Sequence, residues 1–187
     1  MANRNEQGFG LIAAGALGQT PATSGQGKYK IDAGYGTTLF HGGAVASAAG
    51  YIVDGQTTDA PILGVLNGIF YNAATTLKPT FANHYVQVTP ANSEDIDAFV
   101  FDNPQQQYVV ATDAAVAQAG FLETYDMNVS AGSTTTGKSS ATLDIGDTSA
   151  DAASWRLLRS AEDPENSDIT AAFASVVVVA NLIELQN

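Results

Sequence analysis

Short runs of β-forming residues recur about every ten residues after Gly27, and this spacing constrains the fold more than any other feature of the chain. Clusters of Gly, Pro, Asn, Asp and Ser separate the runs, as in all-β sandwiches and barrels. We therefore expect a mainly β protein: a compact antiparallel β-barrel or sandwich with at most one or two short helices. The candidate strands are residues 28–32, 50–53, 62–71, 84–88, 98–102, 107–112, 124–129, 140–145, 155–160 and 169–185.

Three segments support more specific local predictions. The sequence AFVFDNPQQQYVVAT places two β-rich runs around the pair Asn103 and Pro104, which favours turn initiation, so it predicts a β-hairpin. Four consecutive valines at 176–179 predict a strand that is buried on both faces. The stretch DAAVAQAG at 113–120 predicts one short helix that ends at Gly120.

Residues 1–27 form an extended, glycine-rich N-terminal arm in this interpretation, and residues 28–187 form a single β-rich body. The arm holds six glycines around a small apolar patch of Phe9, Leu11 and Ile12, with no periodicity long enough for a helix or strand. Ordering the backbone of the arm costs on the order of 27–54 kcal/mol, at roughly 1–2 kcal/mol per residue. Three large apolar side chains do not offset that cost, so we expect the arm to be mobile until another surface covers it.

The charge of the chain is concentrated in its second half. The 187 residues carry 7 Lys+Arg and 19 Asp+Glu, for a formal net charge of -12. The first 90 residues hold four cations and four anions, whereas the remainder holds three cations and 15 anions. Seven scattered cations in so negative a field repel a polyanion, so we expect no nucleic-acid partner.

The chain contains no cysteine, which excludes disulfides, thiol catalysis and cysteine-bound metals. Its longest apolar stretch, residues 175–185, is far shorter than the roughly 20 residues that cross a bilayer. The opening MANRNEQGFG lacks the apolar run of a signal peptide, so none is expected. We expect no membrane partner.

The sequence GSTTTGKS, from Gly132 to Ser139, matches the phosphate-binding pattern G-x-x-x-x-G-K-[ST] in full. In a nucleotide site the backbone N–H groups would cradle phosphates, Lys138 would reach them and Ser139 would bind Mg²⁺. That site needs a helix directly after the loop, but the following SSATLDIGDTS is rich in Ser and Thr and alternates like a strand. We therefore favour a loop between two strands and keep P-loop nucleotide binding as an alternative.

The remaining polar residues nominate no site. Acidic residues cluster at 94–102 and 144–151 without the residue order of a calcium loop, so a solvated acidic surface is favoured. His41 and His84 lie in strand or turn contexts and are predicted to be structural. We predict no catalytic, cofactor-binding or metal-binding residue, and no enzymatic activity. Six aromatic residues are predicted to be core or protomer contacts: Phe70, Tyr71, Phe99, Phe101, Tyr108 and Trp155.

Four stretches, in this order, resemble one protein family. They are MANRNEQGFGLIAAG, PILGVLNGIFYNAATTLKPTFANHY, AFVFDNPQQQYVVAT, and SAEDPENSDI followed by a Val-rich last strand. Together they resemble the capsid decoration, or cement, proteins of tailed bacteriophages, of the marine phage type, over most of the chain. The resemblance implies a viral structural protein without catalytic residues that binds the outer surface of an icosahedral head. There it would lock neighbouring major capsid proteins against internal DNA pressure, commonly as a homotrimer.

The resemblance also gives the arm and the acidic half expected roles. A neutral, glycine-rich arm can lie along a foreign backbone. We therefore predict that four residues of the arm contact the capsid or a neighbouring protomer: Arg4, Phe9, Leu11 and Ile12. The acidic half is expected to face solvent on the virion surface. A phage tail structural protein, which would share the β-rich, cysteine-free and acidic character, is a second alternative.

Overall fold

A computed structural model of the protein describes residues 3–19, 25–55, 61–130, 132–146 and 155–186. It confirms the mainly β prediction: 44% of the described residues lie in strands or isolated β-bridges, and none of these residues belongs to a helix of seven or more residues. The strands are β1 (Ile12–Ala16), β2 (Gly27–Ile31), β3 (Ala44–Ala48), β4 (Tyr51–Asp54), β5 (Gly64–Asn72), β6 (Pro79–Ala82), β7 (Ile96–Phe101), β8 (Gln106–Ala111), β9 (Thr124–Tyr125), β10 (Met127–Asn128), β11 (Thr142–Leu143), β12 (Trp155–Ser160) and β13 (Ser175–Ala180). Short 3₁₀ turns occupy Leu17–Gln19, Ala91–Ser93, Gln118–Gly120 and Glu184–Gln186. Within the described ranges, no helix has both the length and the apolar character to span a membrane.

The strands form two main antiparallel sheets. One has five strands in the order β1-β8-β13-β12-β9. The other has six, in the order β2-β7-β5-β3-β4, with β6 paired to the far end of β5. A small third sheet joins β10 and β11. Both large sheets have open edges, which is consistent with the sandwich alternative, and no closed barrel forms among the described residues.

The burial pattern of each strand follows from its sequence. In β7 the residues Ile96, Ala98 and Val100 are fully buried, and their neighbours along the strand are partly exposed. This alternation is that of a strand with one face on the core. In contrast, the first five residues of β13 are all buried, so both of its faces are covered, and β8 and β12 pair with its two edges. The predicted doubly buried valine strand is confirmed.

Two hydrophobic clusters stabilise the body. The first joins the five-stranded sheet, through Trp155 and Tyr108, to Ile62 and Val65 beside and within the six-stranded sheet. Trp155 and Tyr108 meet edge to face, with ring centroids 5.6 Å apart and an interplanar angle of 89°. The second cluster lies within the six-stranded sheet around residues such as Leu66. Because the first cluster draws side chains from both sheets, it holds the two layers together.

The predicted β-hairpin around Asn103 is wrong, although its turn is present. The N–H of Gln106 donates to the Asn103 carbonyl at 2.9 Å, and the N–H of Gln105 donates to Asn103 Oδ1 at 2.9 Å. However, β7 and β8 lie in different sheets. The two edges of β7 are already occupied by β2 and β5, so β8 has no edge of β7 to pair with. The turn therefore carries the chain from one layer to the other.

Other differences concern short or small-residue segments. Residues 84–88 contain no strand, only a bridge between Tyr85 and Leu39, and the helix predicted at 113–120 is reduced to the turn Gln118–Gly120. Strands β1, β3 and β6 were not predicted. The first two read IAAGA and AVASA, and alanine and glycine have low β propensity. Pairing with neighbouring strands decides their conformation.

The described part of the predicted arm lies against the body. Strand β1 pairs antiparallel with β8, with Ile12 opposite Val109 and Ala16 opposite Gln106. The prediction that the arm holds no strand is therefore wrong, while its mobility and the division at residues 27 and 28 stay predictions. Residues 1–2 and 20–24 of the arm lie outside the described residues, as do Asp147 and Asp151 of the second acidic cluster.

Candidate functional site

The start of the chain is attached to the loop that precedes β13. The side-chain amide of Asn3 donates to the carbonyls of Asp168 at 3.0 Å and Ala172 at 2.9 Å. Its oxygen accepts the N–H of Asp168 at 3.0 Å, and the N–H of Asn5 donates to Asn166 Oδ1 at 2.7 Å. These asparagines satisfy backbone groups of a loop that would otherwise need water. Asn3 and Asn5 thus tie this part of the arm to the body at several points.

Arg4 lies at the surface between these asparagines. Its guanidinium pairs with the Glu165 carboxylate, and the two side chains are 72% and 57% exposed. An exposed ion pair of this kind contributes at most about 1 kcal/mol. Arg4 is therefore available at the surface, as a contact residue must be, but it is engaged with its own chain.

Gly8, Gly10 and Leu11 pack closely against the body. A Cβ at Gly8 would collide with the Ser140 carbonyl, and Gly10 has a φ of +74 that side chains rarely adopt. The N–H of Leu11 donates to the Gly42 carbonyl at 2.8 Å. The side chain of Leu11 is only 2% exposed and belongs to the first hydrophobic cluster. It consequently presents no surface to a neighbouring protein.

Phe9 and Ile12 lie differently from Leu11. Phe9 is half-buried, and Ile12 is 49% exposed on strand β1. Strand β1 forms one edge of the five-stranded sheet. Of the four predicted contact residues, Arg4 and Ile12 are thus the most exposed, and the structure separates Leu11 from them.

The edge formed by β1 carries no charge and no proline, although its pairing with β8 shifts register between Ala13 and Gly15. Among the described edge strands, β2 carries Lys28 and Lys30, β6 begins at Pro79, β4 ends at Asp54, and β9 has two residues. Charges, prolines and short length all discourage an incoming strand. Strand β1, with the sequence IAAGA, has five residues and neither a charge nor a proline, so its register irregularity is the one such feature that it carries. It is therefore a candidate site for strand addition.

A second candidate surface is the β5–β6 hairpin, residues 64–82. The rings of Phe70 and Phe81 lie side by side, with centroids 4.7 Å apart, and Phe81 is 73% exposed. Leu77, in the turn of this hairpin, is 72% exposed and has a φ of 53. A left-handed conformation costs a leucine about 1–2 kcal/mol. The hairpin thus holds large apolar side chains in water.

Charged residues border this hairpin on the outer face of the sheet. Registers between neighbouring strands place Phe81, Phe70, Asp97 and Lys30 opposite one another in one row. The Asp97 carboxylate pairs with Lys28 at 2.7 Å and with Lys30 at 2.6 Å. Burial raises the pKa of Asp97, but the two lysines together lower it below its ordinary value of 3.8. The row therefore runs from an apolar end to a charged end, where Glu94 and Asp95 also line the recess beside Phe70.

Sequence reasoning missed Phe81 and Leu77 as surface residues. A signal was present nonetheless: residues 60–93 contain no Asp or Glu, although the chain holds 19 acidic residues. Phe70, predicted as a core or protomer contact, lies on the hairpin beside Phe81. In an acidic protein, a stretch that lacks acidic residues and exposes large apolar side chains is typical of a surface that binds another molecule.

The sequence GSTTTGKS forms a tight turn. Ser133 and Lys138 face each other across it, and the N–H of Gly137 donates to the Ser133 carbonyl at 2.7 Å. Ser139 is buried and its N–H donates to the His41 carbonyl at 2.9 Å. None of the described residues 140–146 is helical, and β11 follows. The turn therefore lacks the helix N-terminus on which a P-loop holds phosphate.

Both histidines contact their own chain. His41 Nδ1 lies 2.9 Å from the Asn67 carbonyl, and His84 stacks on Phe40 with ring centroids 6.2 Å apart. In the described ranges, no group of three or more His, Asp or Glu side chains could hold a metal ion. Two surfaces of the described part are candidates for protein binding: the β1 edge and the β5–β6 hairpin.

No family model, curated protein or solved structure matches this chain. The resemblance to phage decoration proteins, the homotrimer, the major capsid protein as partner and the virion location therefore stay predictions.

Substitutions in the GSTTTGKS turn test its structural role. We expect Gly137→Ala to lower the free energy of unfolding by about 1–2 kcal/mol, because Gly137 has a φ of 72. A Cβ there would also collide with Asn83 Oδ1. Lys138→Ala, which removes the exposed lysine of the phosphate-binding pattern, should change stability by less than about 0.5 kcal/mol. Urea denaturation measures both, and ATP-dependent stabilisation of wild type that Lys138→Ala abolishes would revive the P-loop alternative.

Proposed function

We propose that this protein is a non-enzymatic structural component of a tailed-phage virion that binds the outer surface of the head and cements neighbouring major capsid proteins. The observation that carries the proposal is the uncharged edge of β1, with which no strand of the described ranges pairs. A cementing protein must bind several neighbouring subunits firmly without chemistry. Strand addition to a sheet edge supplies such binding through main-chain hydrogen bonds.

The β1 edge is prepared for a partner. Leu11 anchors one end of the strand in the core, and the pairing with β8 fixes its backbone. Little conformational entropy is then lost when another strand binds, which favours affinity. The small residues from Ala13 to Ala16 allow close approach, and the half-exposed Ile12 offers an apolar anchor.

The acidic loop before β13 supports an outward, solvent-facing role for the second half of the chain. Asp163 accepts hydrogen bonds from Asn166 at 2.8 Å and from the N–H of Glu165 at 3.0 Å, which lower its pKa. The hydroxyl of Thr170 donates to Asp168 at 2.6 Å and its N–H donates at 3.1 Å, and these contacts help to lower the pKa of Asp168 to about 2. Both carboxylates remain ionised well into the acid range, and negative charge of this kind keeps a crowded surface soluble.

Labelling of virions tests the proposed location. Gold-labelled antibody against this chain should decorate the whole head of the phage that encodes it, with hundreds of copies per particle by quantitative mass spectrometry. Label confined to the tail would favour the tail-protein alternative. A handful of copies, or none, would contradict the proposal.

A variant of the edge tests the proposed contact. Ala14 is exposed on β1, and Ala14→Lys places a charge on an edge that now has none. We expect this variant to bind undecorated heads at least about tenfold more weakly than wild type, the loss typical of one interface hot spot. The matched control is Leu185→Lys, at a side chain that is 53% exposed in the turn Glu184–Gln186, and it should bind like wild type. Unchanged binding of Ala14→Lys would exclude the β1 edge as the contact.

A further inference from the structure

A recess opens on the outer face of the six-stranded sheet, beside the β5–β6 hairpin. Its volume is about 260 Å³. Sites that enclose a drug-sized molecule occupy roughly 300–1,000 Å³, so this recess has room for a single side chain of a partner. Its lining combines two aromatic residues with four charged ones: Phe70, Tyr71, Lys30, Glu94, Asp95 and Asp97.

Two of the three carboxylates in the recess are available to a ligand. The Asp97 carboxylate is held between the two lysines of β2, at 2.7 and 2.6 Å, and is 13% exposed. Glu94 is exposed and Asp95 is partly exposed, and within the described ranges neither of them forms an ion pair. The hydroxyl of Tyr51 donates to Asp95 Oδ2 at 3.2 Å, which orients that carboxylate. The recess therefore offers two neighbouring carboxylates to a cation.

Among cationic side chains, arginine fits this lining best. A guanidinium can donate to two carboxylates at once and pack flat on an aromatic ring, whereas an ammonium acts as a point charge. Phe70 supplies a ring beside the carboxylates, and a cation is attracted to the face of such a ring. Phe81 lies next to Phe70, with ring centroids 4.7 Å apart, and is 73% exposed. It extends the aromatic wall toward apolar residues that flank a bound arginine.

We propose that this recess binds an arginine side chain on an exposed segment of another protein. In this contact Glu94 and Asp95 pair with the guanidinium, and Phe70 packs against it. The net charge of -12 attracts a basic partner over a longer range. Complementary charge of this kind speeds association and selects the partner.

A second copy of this chain is a poorer occupant of the recess. Two copies with a net charge of -12 each repel one another. The arginines of the chain are also engaged: Arg4 pairs with Glu165, and Arg156 donates to the Leu122 carbonyl at 2.7 Å. The recess lies on the six-stranded sheet and β1 on the other, so the inference goes beyond the proposed function and does not require it.

A peptide titration followed by heteronuclear NMR of the full chain tests the recess. The probe is acetyl-Gly-Leu-Arg-Leu-Gly-amide, and its matched control carries citrulline, which is neutral and of nearly the same shape, in place of arginine. We expect the arginine peptide to shift the backbone amide signals of Phe70, Glu94 and Asp95. The citrulline peptide should bind at least about tenfold more weakly, the loss typical of one interface hot spot. Added salt should weaken binding of the arginine peptide.

Two double variants with the same change in net charge localise the effect. Glu94→Gln/Asp95→Asn should weaken binding of the arginine peptide at least about tenfold. Both substitutions keep the shape of the side chain, so thermal unfolding should match wild type. The control Glu123→Gln/Glu162→Gln removes two exposed carboxylates outside the recess and should leave the affinity unchanged.

Several outcomes would overturn the inference. They are equal binding of the two peptides, no shifts at the recess, and equal weakening by the two double variants. Shifts at the recess on raising the protein concentration alone would assign it to a second copy, and displacement of the peptide by magnesium chloride but not by sodium chloride of equal ionic strength would assign it to a metal ion. A chain that binds the arginine peptide as expected but is absent from phage heads would contradict the proposed function alone.

Discussion

Trp155→Ala is expected to lower the free energy of unfolding by about 3–5 kcal/mol, the usual cost of truncating a buried tryptophan. Trp155 is 1% exposed, lies at the start of β12 and packs edge to face on Tyr108 of β8. The first cluster joins both sheets, so a cavity at Trp155 weakens the contact between layers as well as the packing within one sheet. Urea denaturation followed by far-UV circular dichroism measures the change, because the chain has one tryptophan and the variant has no tryptophan fluorescence.

The matched control is Leu122→Ala, at a side chain that is 62% exposed. It should change the free energy of unfolding by no more than about 0.5 kcal/mol, as is usual for surface positions. A loss of less than about 1 kcal/mol for Trp155→Ala would mean that the two layers do not share the core described for them. Comparable losses of unfolding free energy in Trp155→Ala and Leu122→Ala would also mean that the two layers do not share this core.

Much of the fold could be predicted because the residue types and apolar patterns of its longer strands indicate their conformation locally. The run predicted at 155–160 coincides with β12, and the valine run lies inside β13. β-branched valines dominate β13, whereas β12 reads WRLLRS and buries Trp155 and Leu157 in alternation. Continuity of apolar residues indicates a strand covered on both faces, and alternation indicates one covered face. Strands β1 and β3 could not be found in this way, because alanine and glycine carry little preference and only their partners hold them extended.

The wrong hairpin illustrates a different limit. The turn at Asn103 forms as its residues require, but a turn does not determine which strand pairs with which. Strands β2 and β5 come from distant parts of the chain and occupy both edges of β7. Such competition for edges depends on the whole sheet, and no local signal at residues 102–105 reports it.

The candidate sites show the same division. Phe9, Leu11 and Ile12 form one apolar patch in the sequence, yet successive residues of an extended chain point to opposite sides. Leu11 consequently enters the core while Ile12 stays half-exposed. The β5–β6 hairpin was predicted only as far as β5, because β6 is short and begins at Pro79, which weakens any strand signal. The exposure of Phe81 follows from that edge position.

Leu11→Ala tests whether the arm is docked on the body or mobile until a partner binds. We expect this variant to lower the free energy of unfolding by about 2–5 kcal/mol. Leu11 is 2% exposed and packs in the cluster that joins the sheets, so its truncation leaves a cavity there. The neighbouring Ile12→Ala, at a side chain that is 49% exposed, should cost less than about 1 kcal/mol. Urea denaturation of both variants in the absence of any partner gives the comparison.

An arm that is mobile until a partner covers it would make Leu11→Ala and Ile12→Ala equally harmless to the isolated protein, because neither side chain would be buried before binding. The ordering cost of the arm would then be met only in the complex. In the structure, several contacts besides the burial of Leu11 offset the entropic cost of ordering the arm. They are the hydrogen bonds of Asn3 and Asn5, the close packing at Gly8 and the pairing of β1 with β8. A large loss in Leu11→Ala together with a small one in Ile12→Ala therefore indicates that β1 is docked in advance, with its open edge already positioned to receive a strand.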